Sequence, residues 1–254
     1  MGKNASQESV EGVIGFIRNK GLKEHVSRGE ERTIIGAVGD ERVFRPNELE
    51  RLPDVERVVR VLNDWKIISR EADEEDSRIV IRGVIFGGVK RLDITADTDR
   101  AQKADAVFVD PFYLPARPYE KVDEQRENLR VRAIVQEISD LQKTGKPVIV
   151  RIRDVRQIDE ALSAGADILY LGGSMMTNRT LLDEVGRLNT PVVLCKDKHH
   201  RVDDWLVAAE HIALRGNSHI MLGEAGTLSF EPEHAYRLDV DAIVRVRKVC
   251  RLPV

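Results

Sequence analysis

Charged side chains stand at the ends of several apolar runs in this chain, and their types suit the binding of an anion. Arg151 and Arg153 close the run Pro147-Val148-Ile149-Val150, Lys196 closes Val192-Val193-Leu194-Cys195, and Lys198, His199 and His200 follow after Asp197. Asp110 and Glu224 end two further runs. Guanidinium and ammonium groups gathered at one rim can offset the charge of a carboxylate or phosphate, and strand ends are where parallel barrels carry their sites. The competing reading is that each charge is solvated on a loop. Lys196 has a second chemical role open to it, Schiff-base formation, which requires burial to free the amine. Lys198-His199-His200 reads as a metal or phosphate patch or as plain surface; neighbouring loop histidines diverge, which favours surface. His219 and His234 read as structural residues, and Cys195 and Cys250 as small buried hydrophobes. Gly172-Gly173 and Gly87-Gly88 lack the spacing and lysine of a P-loop and the Rossmann fingerprint, so they read as tight turns.

Positioning such residues needs a parallel α/β scaffold, and the pattern supplies one. Short apolar runs alternate with helical segments after residue 78: strands at Ile79–Ile81, Arg91–Thr95, Ala106–Val109, Pro147–Arg151, Ile168–Leu171, Val192–Leu194 and Ile220–Leu222. Helices are expected over Glu124–Lys143, Val155–Ala164, Thr180–Arg187 and Val202–Arg215. The first segment differs. Val10, Val13, Ile14 and Ile17 recur at helical spacing with Gly21 as C-cap, followed by strands at Glu24–Ser27 and Thr33–Val38, a helical piece from Asn47 to Leu52 and a strand at Val58–Leu62. This order predicts a small α+β module over residues 1–72, with the charged stretch Glu71–Arg78 leading into a larger domain over 73–254.

Composition is that of a globular protein, 42% hydrophobic and 33% charged with a net charge of -3, so no bias toward nucleic acid arises. No apolar run approaches the length of a membrane span, and the N-terminus lacks the apolar core of a signal peptide. Two cysteines without a Cys-x-x-Cys pair point to a reducing, cytoplasmic location.

Particular motifs carry a family resemblance. His25-Val26-Ser27-Arg28-Gly29-Glu30-Glu31-Arg32-Thr33-Ile34-Ile35-Gly36 resembles the ferredoxin-like regulatory domain of one subgroup of DAHP (3-deoxy-7-phosphoheptulonate) synthases, and Val58–Leu62 and Lys66–Glu71 continue the likeness. Ala166–Gly172, Asn178, Pro191–Leu194, Trp205–Ile212 and Phe230-Glu231 extend it through the larger domain. The resemblance implies an α/β fold: an incomplete (β/α)8 TIM-type barrel preceded by a small ferredoxin-like α+β domain. It also implies a site for phosphoenolpyruvate (PEP) and a divalent metal at the strand ends, and an aromatic amino-acid effector near His25 and Ser27.

The motifs depart from the family at the site. The strand that should end in a metal-ligand cysteine reads Leu92-Asp93-Ile94-Thr95-Ala96-Asp97, and only about ten residues lead from it to the next strand. The cationic PEP loop is Leu114-Pro115-Ala116-Arg117-Pro118-Tyr119, with Arg117 its one cation. Ser174 stands for a loop arginine, Cys195-Lys196 for a Lys-Arg pair and Ala225 for an arginine, while Glu224 and Gly226 match. The other metal ligands would come from strands beyond Val254. No cofactor or metal is therefore expected, and the expected function is a DAHP-synthase-like pseudoenzyme that binds a ligand or partner and is linked to aromatic amino-acid biosynthesis. Two alternatives stand beside it: a remodelled lyase or aldolase acting on an anionic substrate through Arg117, Arg151, Arg153, Lys196, Lys198 and Glu224, with Lys196 and Glu224 as catalytic candidates, and DAHP synthase activity completed by another subunit. An open sheet edge predicts a homo-oligomer or a complex with an active paralogue.

Overall fold

In the computed structural model, residues 1–2, 5–28, 33–39, 45–59, 64–113, 135–229 and 236–254 are described. The chain forms two compact units, Met1–Glu75 with Lys248–Arg251, and Asp76–Arg247 with Leu252–Val254.

The first unit is built on α1 (Gln7–Asn19) and the antiparallel pair β1 (Lys23–Arg28) and β2 (Thr33–Val38). Ser6 caps α1 by accepting from the Ser9 N–H, and Gly21 at φ 75° takes the left-handed turn that ends it. The stripe Val10, Val13 and Ile17 is buried, with Val13 and Ile17 packing on Leu22 and on Leu49 of α2 (Pro46–Glu50). Val58 and Val59 adopt no strand, and the rest of the expected third strand lies outside the described residues. Residues 248–251 also belong here: Cys250 bridges Ser69, and the Arg251 N–H donates to Ile68 O at 3.0 Å.

The second unit is a curled half-barrel. Six strands, β5 (Ile94–Thr95), β6 (Ala106–Val109), β7 (Val148–Arg151), β8 (Ile168–Leu171), β9 (Val192–Lys196) and β10 (Ile220–Glu224), lie parallel in sequential order. Both faces are covered, which explains why the strands read as unbroken apolar runs. The helices are 135–142 (α3), Arg156–Ala164 (α4), Arg179–Gly186 (α5), Val202–Leu214 (α6) and Val240–Val249 (α7). Seven of the α6 buried residues are apolar side chains on several sides of the helix, among them Trp205 and Ile212 at 0% exposure, so it sits inside the fold rather than on its rim.

Ile79–Ile81 (β3) does not join the parallel sheet. It pairs antiparallel with Val84–Phe86 (β4) across Arg82-Gly83, both at positive φ (47° and 78°), which matches a tight hairpin turn whose twist suits the strands. Ile79, Ile81 and Phe86 pack with Ala106, Ile149, Ile168 and Met221, residues near the N-terminal ends of their strands. The hairpin thus closes the inner face at one end and leaves the C-terminal rim to carry the charged groups. Between β5 and β6 runs a 3-10 helix, Thr98–Lys103, in place of a full helix, with its own Ala101 buried.

Candidate functional site

Strand alternation decides which side chains share the inner face. Ile149 on β7, Tyr170 on β8 and Val193 on β9 pack in the inner cluster, so two residues further on Arg151, Gly172 and Cys195 face the same way at the rim. There the Arg153 guanidinium grips Asp110 bidentately, its Nη2 donating to Oδ2 at 2.5 Å and its Nη1 to Oδ1. Arg151 stands beside this pair with Nη1 3.6 Å from Asp110 Oδ2, beyond hydrogen-bond reach. Its guanidinium lies 5.6 Å over the Tyr170 ring, and Tyr170 meets Phe108 edge to face at 5.1 Å. Buried Arg151 Nε has no hydrogen-bond partner among the described residues. Burial, the largest cause, pushes both the Tyr170 hydroxyl and the Cys195 thiol up from their usual ranges, so both stay neutral near pH 7. A protonated, buried thiol is a poor nucleophile.

Lys196 belongs elsewhere. Its parity matches Val192 and Leu194, and its Nζ lies on the other side of the sheet, 3.8 Å from Glu224 Oε1 and 3.5 Å from Asp239 Oδ2. The burial that Schiff-base chemistry needs is present, with 2% of the side chain exposed, but the ammonium is clasped by two carboxylates instead of standing free beside a substrate. Glu224 also accepts from the Gly226 N–H at 2.6 Å and the Asp239 N–H at 3.1 Å, and Asp239 Oδ1 accepts from Ala242 at the start of α7. These bonds tie the loop after β10 to its strand. The sequence reading names Lys196 and Glu224 but misses Asp239, which is far away along the chain and carries no local motif.

The remaining candidates scatter. Lys198 and His200 sit in the turn before α6, where Asp197 accepts from the Lys198 N–H at 2.8 Å and lies 3.7 Å from His200 Nδ1. Arg117 lies outside the described residues. At the end of β5, where the resemblance places a metal-ligand cysteine, Thr95 is followed by Ala96 and then Asp97, whose carboxylate accepts from the Asp99 N–H. Among the described residues no three His, Cys, Asp or Glu side chains converge as a metal site.

In the first unit, His25 and Ser27 line one cavity of about 250 Å³ together with Val13, Ile17, Leu22 and Leu49. Alternation along β1 puts His25 and Ser27 on the same face of the strand. Polar groups beside an apolar floor suit a small molecule with a ring or alkyl body and a polar end.

Comparison with known proteins gives the lineage. Residues 1–63 match the DAHP synthase ferredoxin-like domain and residues 122–254 the DAHP synthetase I family. A phospho-2-dehydro-3-deoxyheptonate aldolase of Thermotoga maritima is 30% identical over 98% of this chain and 76% of its own length. The chain belongs to the DAHP synthase family. A crystal structure of the Thermotoga maritima DAHP synthase superposes with a TM-score of 0.67 at 27% identity, covering 99% of this chain and 76% of that one. A truncated form of the enzyme from the same organism, at 22% identity and a TM-score of 0.63, covers 75% of this chain and 72% of its own and shares the fold. The half-barrel and the small N-terminal domain are therefore a DAHP synthase scaffold, on which Arg151 and Arg153 face Asp110 while Lys196 is locked into an ion cluster.

Proposed function

We propose that this member of the DAHP synthase family has lost the metal-dependent condensation of PEP and acts as a regulatory, ligand-binding relative tied to aromatic amino-acid biosynthesis. The observation that carries the reading is the shared cavity of His25 and Ser27 over an apolar floor. An aromatic amino acid suits it: a ring against Val13, Ile17 and Leu22, and polar ends met by His25 and Ser27. Loss of condensation is supported by the rim. A trianionic substrate needs several free cations and a metal to offset desolvation and developing charge, whereas here Arg153 and Lys196 are already paired with carboxylates. Association with a second copy or an active paralogue belongs to the same reading. Two buried cysteines outside any disulfide suit a reducing cytoplasm, and among the described residues no helix is long and apolar enough to cross a membrane.

A second reading keeps DAHP synthase activity, completed by another subunit; it is favoured by likeness to a named aldolase over 98% of the chain. Calorimetry separates the two. Tyrosine or phenylalanine should bind, and His25→Ala should abolish the heat. Binding of PEP that depends on added manganese would overturn the loss of condensation, and silence toward both amino acids would overturn the regulatory reading.

A further inference from the structure

We propose that the first unit holds a slot for an extended peptide strand: a segment of a partner protein, apolar at alternate residues and basic at its ends, lies along β2. This does not rest on the amino-acid reading, although both use one cavity.

The two faces of the β1–β2 pair locate the slot. Ile35 and Ala37 pack with Val13, Ile17 and Leu22 on the α1 side. His25 pairs with Gly36 and Ser27 with Ile34, and cross-strand partners share a face, so these four stand on the opposite side. Yet the cavity of about 250 Å³ is lined from both sides, by Val13, Ile17 and Leu22 on one and by His25, Ser27 and Ile34 on the other. A cavity cannot pass through a hydrogen-bonded pair of strands, so it wraps around an edge. That edge belongs to β2: every residue from Ile34 to Gly39 lines the cavity, whereas β1 contributes His25 and Ser27. Val55, Val58 and Val59 add further apolar lining.

A lining of consecutive strand residues fits an extended chain, and six of them span about 20 Å at roughly 3.3 Å each. One rung of such a ladder is already in place, because the Met1 amine donates to Thr33 O at 3.0 Å. Peptide groups alternate in direction along an antiparallel strand, so those of Ile35 and Ala37 point the same way as the Thr33 carbonyl. An added strand continues from that rung; main-chain bonds supply its affinity, and alternate side chains on the Val13 and Ile17 side supply its apolar preference. Charge selects its end. A second cavity, of about 350 Å³, shares Met1, Ile34, Arg57 and Val59 with the first and is lined by Thr33, Glu56, Glu71, Asp73, Glu74 and Glu75. Arg57 meets Glu74 at 2.9 Å and Arg251 meets Asp73 at 3.3 Å, two cations among five carboxylates. The Thr33 end of the slot thus opens on an acidic mouth that favours a basic residue. The chain's own described strands are committed to its own sheets, which points to a partner protein as the donor.

The test titrates the full chain, without any amino acid, with the peptide acetyl-Lys-Val-Thr-Val-Thr-Val-Lys-amide, whose sequence reads alike in both directions. Calorimetry should show saturable binding, and the Ile35 and Ala37 amides should exchange at least about tenfold more slowly in the complex. The same peptide N-methylated at its three valines and two threonines keeps the side chains but loses the donors, and should bind at least about tenfold more weakly. Glutamate in place of both lysines should weaken binding at least about threefold. No saturable binding, no added protection at Ile35 and Ala37, or an N-methylated peptide within twofold of the first overturns the proposal; so does a glutamate-ended peptide that binds as tightly. If the chain alone forms a dimer in which those two amides are protected, and dilution to monomer releases them, the occupant is a second copy and the partner strand is overturned. Because tyrosine and phenylalanine are absent throughout, the result stands apart from whether either binds.

Discussion

Replacing Lys196 by Met tests whether the buried cluster is scaffold. The substitution keeps an apolar stem of similar length and removes one positive charge from between two carboxylates at 3.5 and 3.8 Å. Each pair is worth about 4 kcal/mol of gross attraction at an effective dielectric near 20, most of it offset by desolvation. The two carboxylates then weigh differently. Asp239 is 26% exposed and regains water, so its share is small; Glu224, 2% exposed, does not. Breaking a buried pair from one side costs roughly 3–5 kcal/mol. Glu224 retains the Gly226 and Asp239 N–H bonds, which places the expected loss near the lower end, about 3 kcal/mol. At roughly 2–4 °C per kcal/mol for a unit of this size, the melting point should fall by about 6–12 °C. Urea unfolding followed by Trp205 fluorescence in a Trp65→Phe background reads this unit alone, since Trp205 donates to Leu194 O beside the cluster. Adding Glu224→Gln to Lys196→Met removes the stranded charge and should recover more than half of the loss. A single-variant loss below about 1 kcal/mol, or no recovery in the double variant, would refute the reasoning.

Asn217 is 1% exposed; its Nδ2 donates to Val185 O and Thr190 O at 3.0 and 2.9 Å, and its Oδ1 accepts from the His219 N–H. Asn217→Ala strands those groups and should cost about 2–4 kcal/mol in denaturant unfolding, with a loss under about 1 kcal/mol counting against it. His211 is held below its ordinary range, first by burial and then by the Arg179 charge it touches. A folded value below the unfolded one gives stability that is present above the ordinary histidine range and lost as pH falls through the folded value. The melting point of the parent should therefore drop from pH 7 to pH 5 more than that of His211→Gln, and parallel profiles would show that His211 does not matter.

Much of the half-barrel is legible because strands buried on both faces must be apolar throughout, and β6 to β10 stand within two residues of where those runs place them. Ile79–Ile81 forms a strand where its apolar run places one, but a three-residue run looks alike in a barrel strand and in a hairpin, so its antiparallel partner Val84–Phe86 is not evident from the run alone. The distinguishing signal was Arg82-Gly83, where glycine permits the positive φ a tight turn requires. The Asp239 partnership was not legible, because ion pairs between distant segments leave no periodic trace in the chain.

The grouping of rim cations is the more instructive failure, since the information to correct it lay in the sequence. Arg151 and Lys196 both end strands and look equivalent as text, yet register and alternation send them to opposite sides of one sheet. Facing the helices, Lys196 had to be neutralised within the fold, because a buried charge without partners is intolerable, and Glu224 and Asp239 meet that demand. Facing the inner rim, Arg151 keeps some contact with solvent, so a looser pairing, 3.6 Å from Asp110 Oδ2, is tolerable there. The side of the sheet on which a strand-end cation points thus decides how completely folding must satisfy it, and that is why Lys196→Met should cost more stability than Arg151→Met.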